Sequence, residues 1–242
     1  MQRYYTRACN FYFGNQSKIL VNKKKSISLH KIKEISFDHV EVITRKKIRR
    51  ISINHIKKLP NNLKKKINAD IKKINSKKKN FSNFNFKKIP NILGVLNLTP
   101  DSFSDGGKFN KKNKGITHAI SLYRSGASII DVGGESTRPG SKPVNEKQEW
   151  NRINKILKLI VKKIPISLDT RKSRIMENGI RMGVKLINDV SGLSYDPNTI
   201  NILKKYKIPF VIQHSVGTPE NMQKKAKYKN ELLDIYDYFE DK

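Results

Sequence analysis

The sequence predicts an α/β protein in which a parallel sheet is assembled from consecutive strand–loop–helix units, preceded by a small α+β unit. Three observations carry this reading. From Pro90 onward, short apolar runs alternate with stretches whose apolar residues recur at helical spacing. The first such run, with Ile92, Leu93, Val95, Leu96 and Leu98, is near-continuous, as in a parallel-sheet strand covered on both faces. The charge balance also changes near residue 88. Residues 1–88 carry 25 Lys+Arg against 4 Asp+Glu, a net of +21, whereas residues 89–242 carry 26 against 16, a net of +10. The boundaries are therefore drawn at 1–88, a basic N-terminal extension with its linker, and 89–242, the α/β domain.

Within the extension, Tyr4, Tyr5, Phe11, Tyr12 and Phe13 have the character of core residues. Between Ile27 and Ile53, β-branched and aromatic residues partly alternate, in Ile35, Phe37 and the Val40 to Thr44 run, which predicts two or three strands. After Pro60 the period lengthens. Leu63, Ile67, Ile71 and Ile74 recur at helical spacing among lysines, predicting an amphipathic helix with a solvated basic face. Residues 75–88, with Ser, Asn and Lys, read as a linker.

The α/β domain reads as strands at 92–98, 128–132, 165–169, 184–189 and 208–213, with helices near 114–126, 146–163 and 171–182. Trp150, Ile153, Ile156, Leu157 and Ile160 form one helical stripe, and Asn145 with Gln148 resembles a capping box. Asp196 followed by Pro197 reads as a further helix start. Alternating βα units imply right-handed crossovers between neighbouring parallel strands.

Composition narrows the function. A net charge of +31 raises the question of nucleic acid or an anionic membrane. Lys, Asn and Ile are over-represented throughout, however, including on faces with no stacking aromatics, so the charge reads as a chain-wide bias and nucleic acid is not expected as the partner. Cys9 is the only cysteine, which excludes an intrachain disulfide and a cysteine-based zinc site and points to a reducing, cytoplasmic compartment. No apolar window is long enough to span a bilayer, so no membrane association is expected.

Chemistry gathers at the strand ends. Past the first strand come Asn97, Thr99, Asp101, Ser102, Ser104 and Asp105, with Pro100 and Gly106–Gly107 setting turns. The later strands end in Asp131, Asp169, Asn188 with Asp189, and Gln213 with His214. For any one of these a capping or turn role is the commoner explanation. Five in succession point to a shared pocket at the carboxyl ends, where α/β folds place their active sites.

GVLNLTPDSFSDGG at 94–107, followed by DVGGESTRPG at 131–140, resembles the two signature segments of the dihydropteroate synthases, folate-pathway enzymes of the pterin-binding TIM-barrel family. The resemblance covers roughly residues 89–230 and says nothing about residues 1–88. It implies a (β/α)8-type barrel of which about five βα units are present. The implied reaction joins (7,8-dihydropterin-6-yl)methyl diphosphate to 4-aminobenzoate, giving 7,8-dihydropteroate and diphosphate. It further implies that Asp169, Asn188 and Thr137 hold the pterin substrate, a carboxylate and a carboxamide being suited to the donors and carbonyl of an aminopyrimidinone ring. Asn97 is implied as the protein ligand of Mg²⁺, which binds mainly through substrate phosphates. The two catalytic candidates that the resemblance implies are Asp105, near the developing cation, and Arg138, an anion partner. Phe103 and Pro139, with Thr137, wall the aminobenzoate. The loops 99–109 and 133–145 are expected to be mobile lids, and His214 a hydrogen-bonded wall residue. A homodimer is implied for a full-length chain.

Two other readings compete. A methyltetrahydrofolate-dependent methyltransferase barrel shares the ring contacts, but TPDSFSDGG argues against it. A non-catalytic partial barrel could serve as a binding module. The family's later pterin carboxylate, Ser-Arg-Lys lysine and Arg-x-His pair are not found in 204–242, so these residues alone are expected to be catalytically dead and poorly soluble.

Overall fold

The computed structural model describes residues 3–81, 84–85, 90–99 and 114–242. It divides into two compact units, Met1–Lys79 and Asn80–Lys242, the division falling inside the expected linker.

The first unit runs β1 (Tyr5–Phe13), α1 (Gly14–Asn22), β2 (Ile27–Leu29), β3 (Ile32–Ile43), β4 (Ile48–Ser52), a 3-10 turn (Ile53–Lys58) and α2 (Asn61–Ile74). β3 is the spine. It pairs antiparallel with β1 along one edge and, along the other, with β2 at one end and β4 at the opposite end. Phe37, Val40, Val42, Ile51 and Ile56 are buried against Ile67 at the middle of α2, with Leu63, Ile71 and Ile74 packed around them. The expected helix is thus present with its apolar stripe inward. β1 corrects the sequence reading, which assigned no strand there. The N-terminal aromatics divide along it: Tyr5 is buried, whereas Phe11 and Phe13 are 41% and 65% exposed.

The second unit contains β5 (Leu93–Asn97), α3 (Lys114–Arg124), β6 (Ile129–Gly133), α4 (Glu146–Ile160), β7 (Ile166–Asp169), α5 (Ser173–Met182), β8 (Leu186–Asp189), α6 (Thr199–Tyr206), β9 (Phe210–Ile212), α7 (Met222–Lys225) and α8 (Glu231–Asp241). The five strands are parallel and lie in sequence order. Sequential order with same-handed crossovers puts the helices on one face, as in a β/α barrel wall and unlike the reversed order of a doubly wound sheet. Leu96, Ile130, Val132, Ile166 and Leu168 meet Ile153, Leu157, Ile160 and Ile175 in the core of that face. The Asn145 cap is as expected: its Oδ1 accepts from Gln148 N at 2.8 Å.

Two expectations are corrected. α6 begins at Thr199, not at Asp196 and Pro197. The Asp196 carboxylate instead accepts from Asn198 N at 2.9 Å and, with its other oxygen, from Ser173 N at 2.8 Å, so it tethers the first turn of α5. The run from Ile92 to Leu98 is covered on one face only. Gly94, Leu96 and Leu98 are buried, while Ile92, Leu93 and Val95 are exposed, because β5 is an edge strand of the five-stranded sheet. Phe210 and Val211 of β9, the opposite edge strand, are also exposed, one on each face.

Open edges with apolar side chains invite association. A chain of residues 1–242 is expected to elute above its 28.0 kDa monomer mass, and Val95→Lys with Phe210→Lys is expected to shift it toward the monomer. Monomeric elution of the unmodified chain at micromolar concentration would rule this out.

Candidate active site

Parallel register sets the site. Asn97 lies opposite Gly133, Gly133 opposite Asp169, and Asp169 opposite Asn188, so these four positions form a row on the sheet face away from the helices. Two residues earlier on the same face lie Asp131 and Ser167. Gly133 leaves a gap in the row. A Cβ there would fall 3.1 Å from Asp169 Oδ2 and 3.6 Å from Asn97 Oδ1.

One amide links the row to the residues beneath. Asn188 Nδ2 donates to Asp131 Oδ2 at 2.9 Å, and Gln213 Nε2 donates to Asn188 Oδ1 at 3.4 Å. This fixes the carboxamide orientation. Among the described residues, Asp131 Oδ1 and the Ser167 Oγ beside it are buried without a well-formed hydrogen bond, and Asn97 and Asp169 bond to no described side chain. Burial pushes the Asp169 carboxyl well above its ordinary 3.8, and the charges of Asp131, Glu149, Asp189 and Glu135 add to the rise. Burial also raises Asp131, with the neighbouring Ser167 hydroxyl and the Asn188 amide opposing. A carboxylate left this costly to ionise beside an oriented carboxamide is a receptor for paired N–H donors.

The loop following β6 is braced. Glu135, just past that strand, accepts from Arg171 Nε at 2.9 Å and Nη2 at 3.1 Å, from Lys172 Nζ at 3.0 Å and from Val144 N at 2.9 Å. Lys172 Nζ also reaches Glu149 Oε2 at 2.5 Å, while Thr170 Oγ1 donates to Glu149 Oε1 at 2.6 Å. Arg171 stacks over the Tyr195 ring at 4.1 Å. Burial alone would raise Glu135, but Arg171, the Val144 N–H and Lys172 bring it below its usual value. Higher in the loop, Ser141 Oγ donates to Ser136 O at 2.7 Å and Gly140 N to Pro219 O at 2.9 Å. In this structure the loop 133–145, expected as a mobile lid, has contacts at both its base and its tip.

Thr137 and Arg138 are half-buried on this loop and Pro139 is exposed. No hydrogen bond joins Thr137 to Asn97, Asp169 or Asn188. Phe103 and Asp105 lie outside the described residues, as does the rest of 100–113.

Asp189 and His214 end their strands but do not join the row. Asp189 takes Ser191 N at 2.9 Å, Ser191 Oγ at 2.7 Å and Leu193 N at 2.8 Å, anchoring a turn in which Gly192 and Leu193 have positive φ. His214 Nε2 is 3.0 Å from Tyr228 Oη, with the Tyr238 ring edge-on at 4.6 Å, so it is the wall residue expected. The ion network was not read from the sequence, although a signal existed. Glu149 falls at the helical spacing of Ile153, Ile156 and Ile160, a carboxylate on a buried stripe, and Arg171–Lys172 is a cation pair just past the strand that follows that helix. Among the described residues no cluster of His, Cys, Asp and Glu could by itself hold a metal ion, and no helix is long and apolar enough to cross a membrane.

A sequentially ordered parallel β/α sheet with polar groups at its carboxyl ends defines an enzyme domain of the TIM-barrel type, here with five of its units and an antiparallel N-terminal sheet. The chain belongs to the pterin-binding enzyme family, whose sequence profile matches residues 93–242. It is 42% identical over 154 residues to the dihydropteroate synthase of Clostridium beijerinckii, which is 63% of this chain and 55% of that protein. Among solved structures, the Yersinia pestis dihydropteroate synthase in a sulfonamide drug complex is 36% identical with a TM-score of 0.59, covering 62% of this chain and 55% of that one. The Xanthomonas albilineans dihydropteroate synthase with 4-aminobenzoic acid is 30% identical with a TM-score of 0.55, covering 63% of this chain and 54% of that one. The chain thus spans about half the length of the curated relatives it matches.

Proposed function

We propose that the site serves dihydropteroate synthesis, in which the amine of 4-aminobenzoate displaces diphosphate from (7,8-dihydropterin-6-yl)methyl diphosphate to form 7,8-dihydropteroate. The observation that carries this reading is the unpartnered Asp169 carboxylate beside the oriented Asn188 amide, on a gap opened by Gly133. The family match and a relative solved with 4-aminobenzoic acid support it.

In this reading Asp169 accepts N–H groups of the aminopyrimidinone, and Asn188 contacts the same ring edge with Asp131 and Gln213 keeping its amide in place. Thr137 adds a further substrate contact from the loop above, and Pro139 with Phe103 borders the aminobenzoate. Arg138 offsets negative charge, and Asp105 stabilises the methylene as positive charge develops on it. Asn97 offers a neutral carbonyl oxygen with no competing described side chain, a donor suited to Mg²⁺, an ion that keeps most of its waters and binds chiefly through phosphates. When bound, the ion would neutralise the leaving diphosphate. The amine attacks through its lone pair and afterwards loses its proton to solvent or to the diphosphate, so the chain need supply position and electrostatics more than a strong base. We place residues 1–88 outside this site as a separable extension, the protein in the cytoplasm, and the working form as a homodimer.

The test is diphosphate release by the parent protein that contains this chain, with both substrates and Mg²⁺. Release that requires 4-aminobenzoate and falls at least about a hundredfold in Asn188→Ala is expected, since that change also leaves the buried Asp131 unpartnered. Full turnover in the folded variant would contradict the assignment.

A further inference from the structure

We propose that the N-terminal unit carries an anion site of its own, for a small phosphorylated molecule of the diphosphate or nucleoside polyphosphate class. A cavity of about 560 Å³ lies along β4 and the 3-10 turn that follows, lined by His39, Arg49, Arg50, His55 and Lys58, with Ile51 and Leu59 as apolar wall. That volume is within the range of small-molecule sites, ~300–1,000 Å³. No carboxylate lines it.

The unit pairs none of Arg49, Arg50, His55 and Lys58 with a described carboxylate. Residues 1–88 hold four carboxylates; three are engaged away from the cavity, and the fourth, Asp38, reaches only His39 of its lining. Glu34 pairs with Lys18 at 3.1 Å, Glu41 with Arg7 at 2.5 Å, and Asp70 with Lys66 at 2.7 Å. Asp38 takes Asn10 Nδ2 at 2.7 Å, Tyr12 Oη at 2.8 Å and His39 Nδ1 at 2.6 Å. The last contact leaves Nε2 as the remaining hydrogen-bonding nitrogen of His39. Glu41 is opposite Arg50 in the strand register, but its carboxylate is held by Arg7. The side chains of Arg49, Arg50, His55 and Lys58 make no ion pair or hydrogen bond with a described residue.

The cluster also departs from the bias of the chain. The excess basic residue of this protein is lysine, whereas this cavity gathers two adjacent arginines and two of the chain's five histidines. Arginine presents a planar fork of donors that matches phosphate oxygens two at a time. β4 pairs only with β3 among the described strands, so its outer edge adds unpaired backbone groups beside the arginines. Converging like charges repel, and an anion that relieves the repulsion stabilises the folded unit. The shape decides the size class. No Phe, Tyr or Trp lines the cavity to stack successive bases, as a single-stranded nucleic acid groove would require.

The experiment is calorimetric titration of the full chain with ATP and with inorganic pyrophosphate, repeated on two charge-matched double variants. Arg49→Ala with Arg50→Ala removes two cations from the cavity. Lys72→Ala with Lys73→Ala removes two exposed cations from α2. Saturable binding that weakens about tenfold or more in the arginine pair and less than about twofold in the lysine pair is expected, and pyrophosphate matching ATP would place recognition on the phosphates alone. The proposal is overturned by an absence of saturable binding, by equal loss in the two pairs, or by an oligonucleotide that binds through Arg49 and Arg50 more tightly than ATP.

Discussion

Asp169→Asn is expected to lower affinity for a 6-substituted pterin by roughly thirtyfold or more, about 2 kcal/mol, while raising thermal stability at neutral pH. Both effects come from one carboxylate. It has no described hydrogen-bonding partner, lies on a sheet face beside Asp131, and is pushed well above its ordinary value by burial and by neighbouring acidic charges. Because the folded value is raised, the native chain holds a proton that the unfolded chain has released at pH values between 3.8 and the raised value. Stability is thus lost as pH rises through that window, and an uncharged Asn removes the loss. Binding has the opposite slope. Paired N–H donors require the ionised carboxylate, so affinity should rise with pH across the same window and level off above it, whereas the Asn variant should be weak and flat in this respect. Calorimetric titration with the pterin over a pH series, alongside thermal unfolding of both proteins, reads the two effects separately. Unchanged affinity in a folded variant would remove Asp169 from the ring contact.

Lys172→Ala is expected to destabilise the second unit by about 3–5 kcal/mol, since removing one partner leaves a buried charge uncompensated. The Lys172 ammonium is the cation between Glu135 and Glu149, and Glu149 is fully buried. Arg171 continues to serve Glu135, so Glu149 bears most of the change, keeping only the Thr170 hydroxyl. Changing both members, Lys172→Met with Glu149→Gln, should recover most of the loss, because no unpaired charge then remains. Urea unfolding followed by far-UV circular dichroism measures both variants. A loss below about 1 kcal/mol in the single variant would mean that water reaches this network and screens it.

Both expectations turn on groups whose importance was unevenly legible in the amino-acid sequence. Asp169 and Asn188 stood out because each ends an apolar run, and strand register brought them opposite one another. Asp189, at an equally conspicuous strand end, proved to be a turn anchor, since adjacent strand residues point to opposite faces and only one of each pair can join the row. Asp131 was visible as a strand-end carboxylate, but its bond to Asn188 joins residues 57 positions apart. The network of Glu135, Glu149, Thr170, Arg171 and Lys172 spans a loop, a helix and a second loop, which no local pattern connects.

What the sequence determined by itself was the order and kind of the elements in the α/β domain, because hydrophobic periodicity, caps and turn residues act over a few neighbouring positions. It also supplied the two motifs that mark the family. Tertiary structure alone decided which side chains meet, and with it the faces that remain uncovered. β5 reads as a strand covered on both faces, yet Leu93 and Val95 are exposed, because burial depends on a neighbouring strand and not on the strand's own residues. Asp196 reads as the cap of the helix that follows it, yet its carboxylate reaches Ser173 on α5. A cap needs only an N–H within reach, and the fold brought the Ser173 N–H to one carboxylate oxygen while the other stays on Asn198, just ahead of α6.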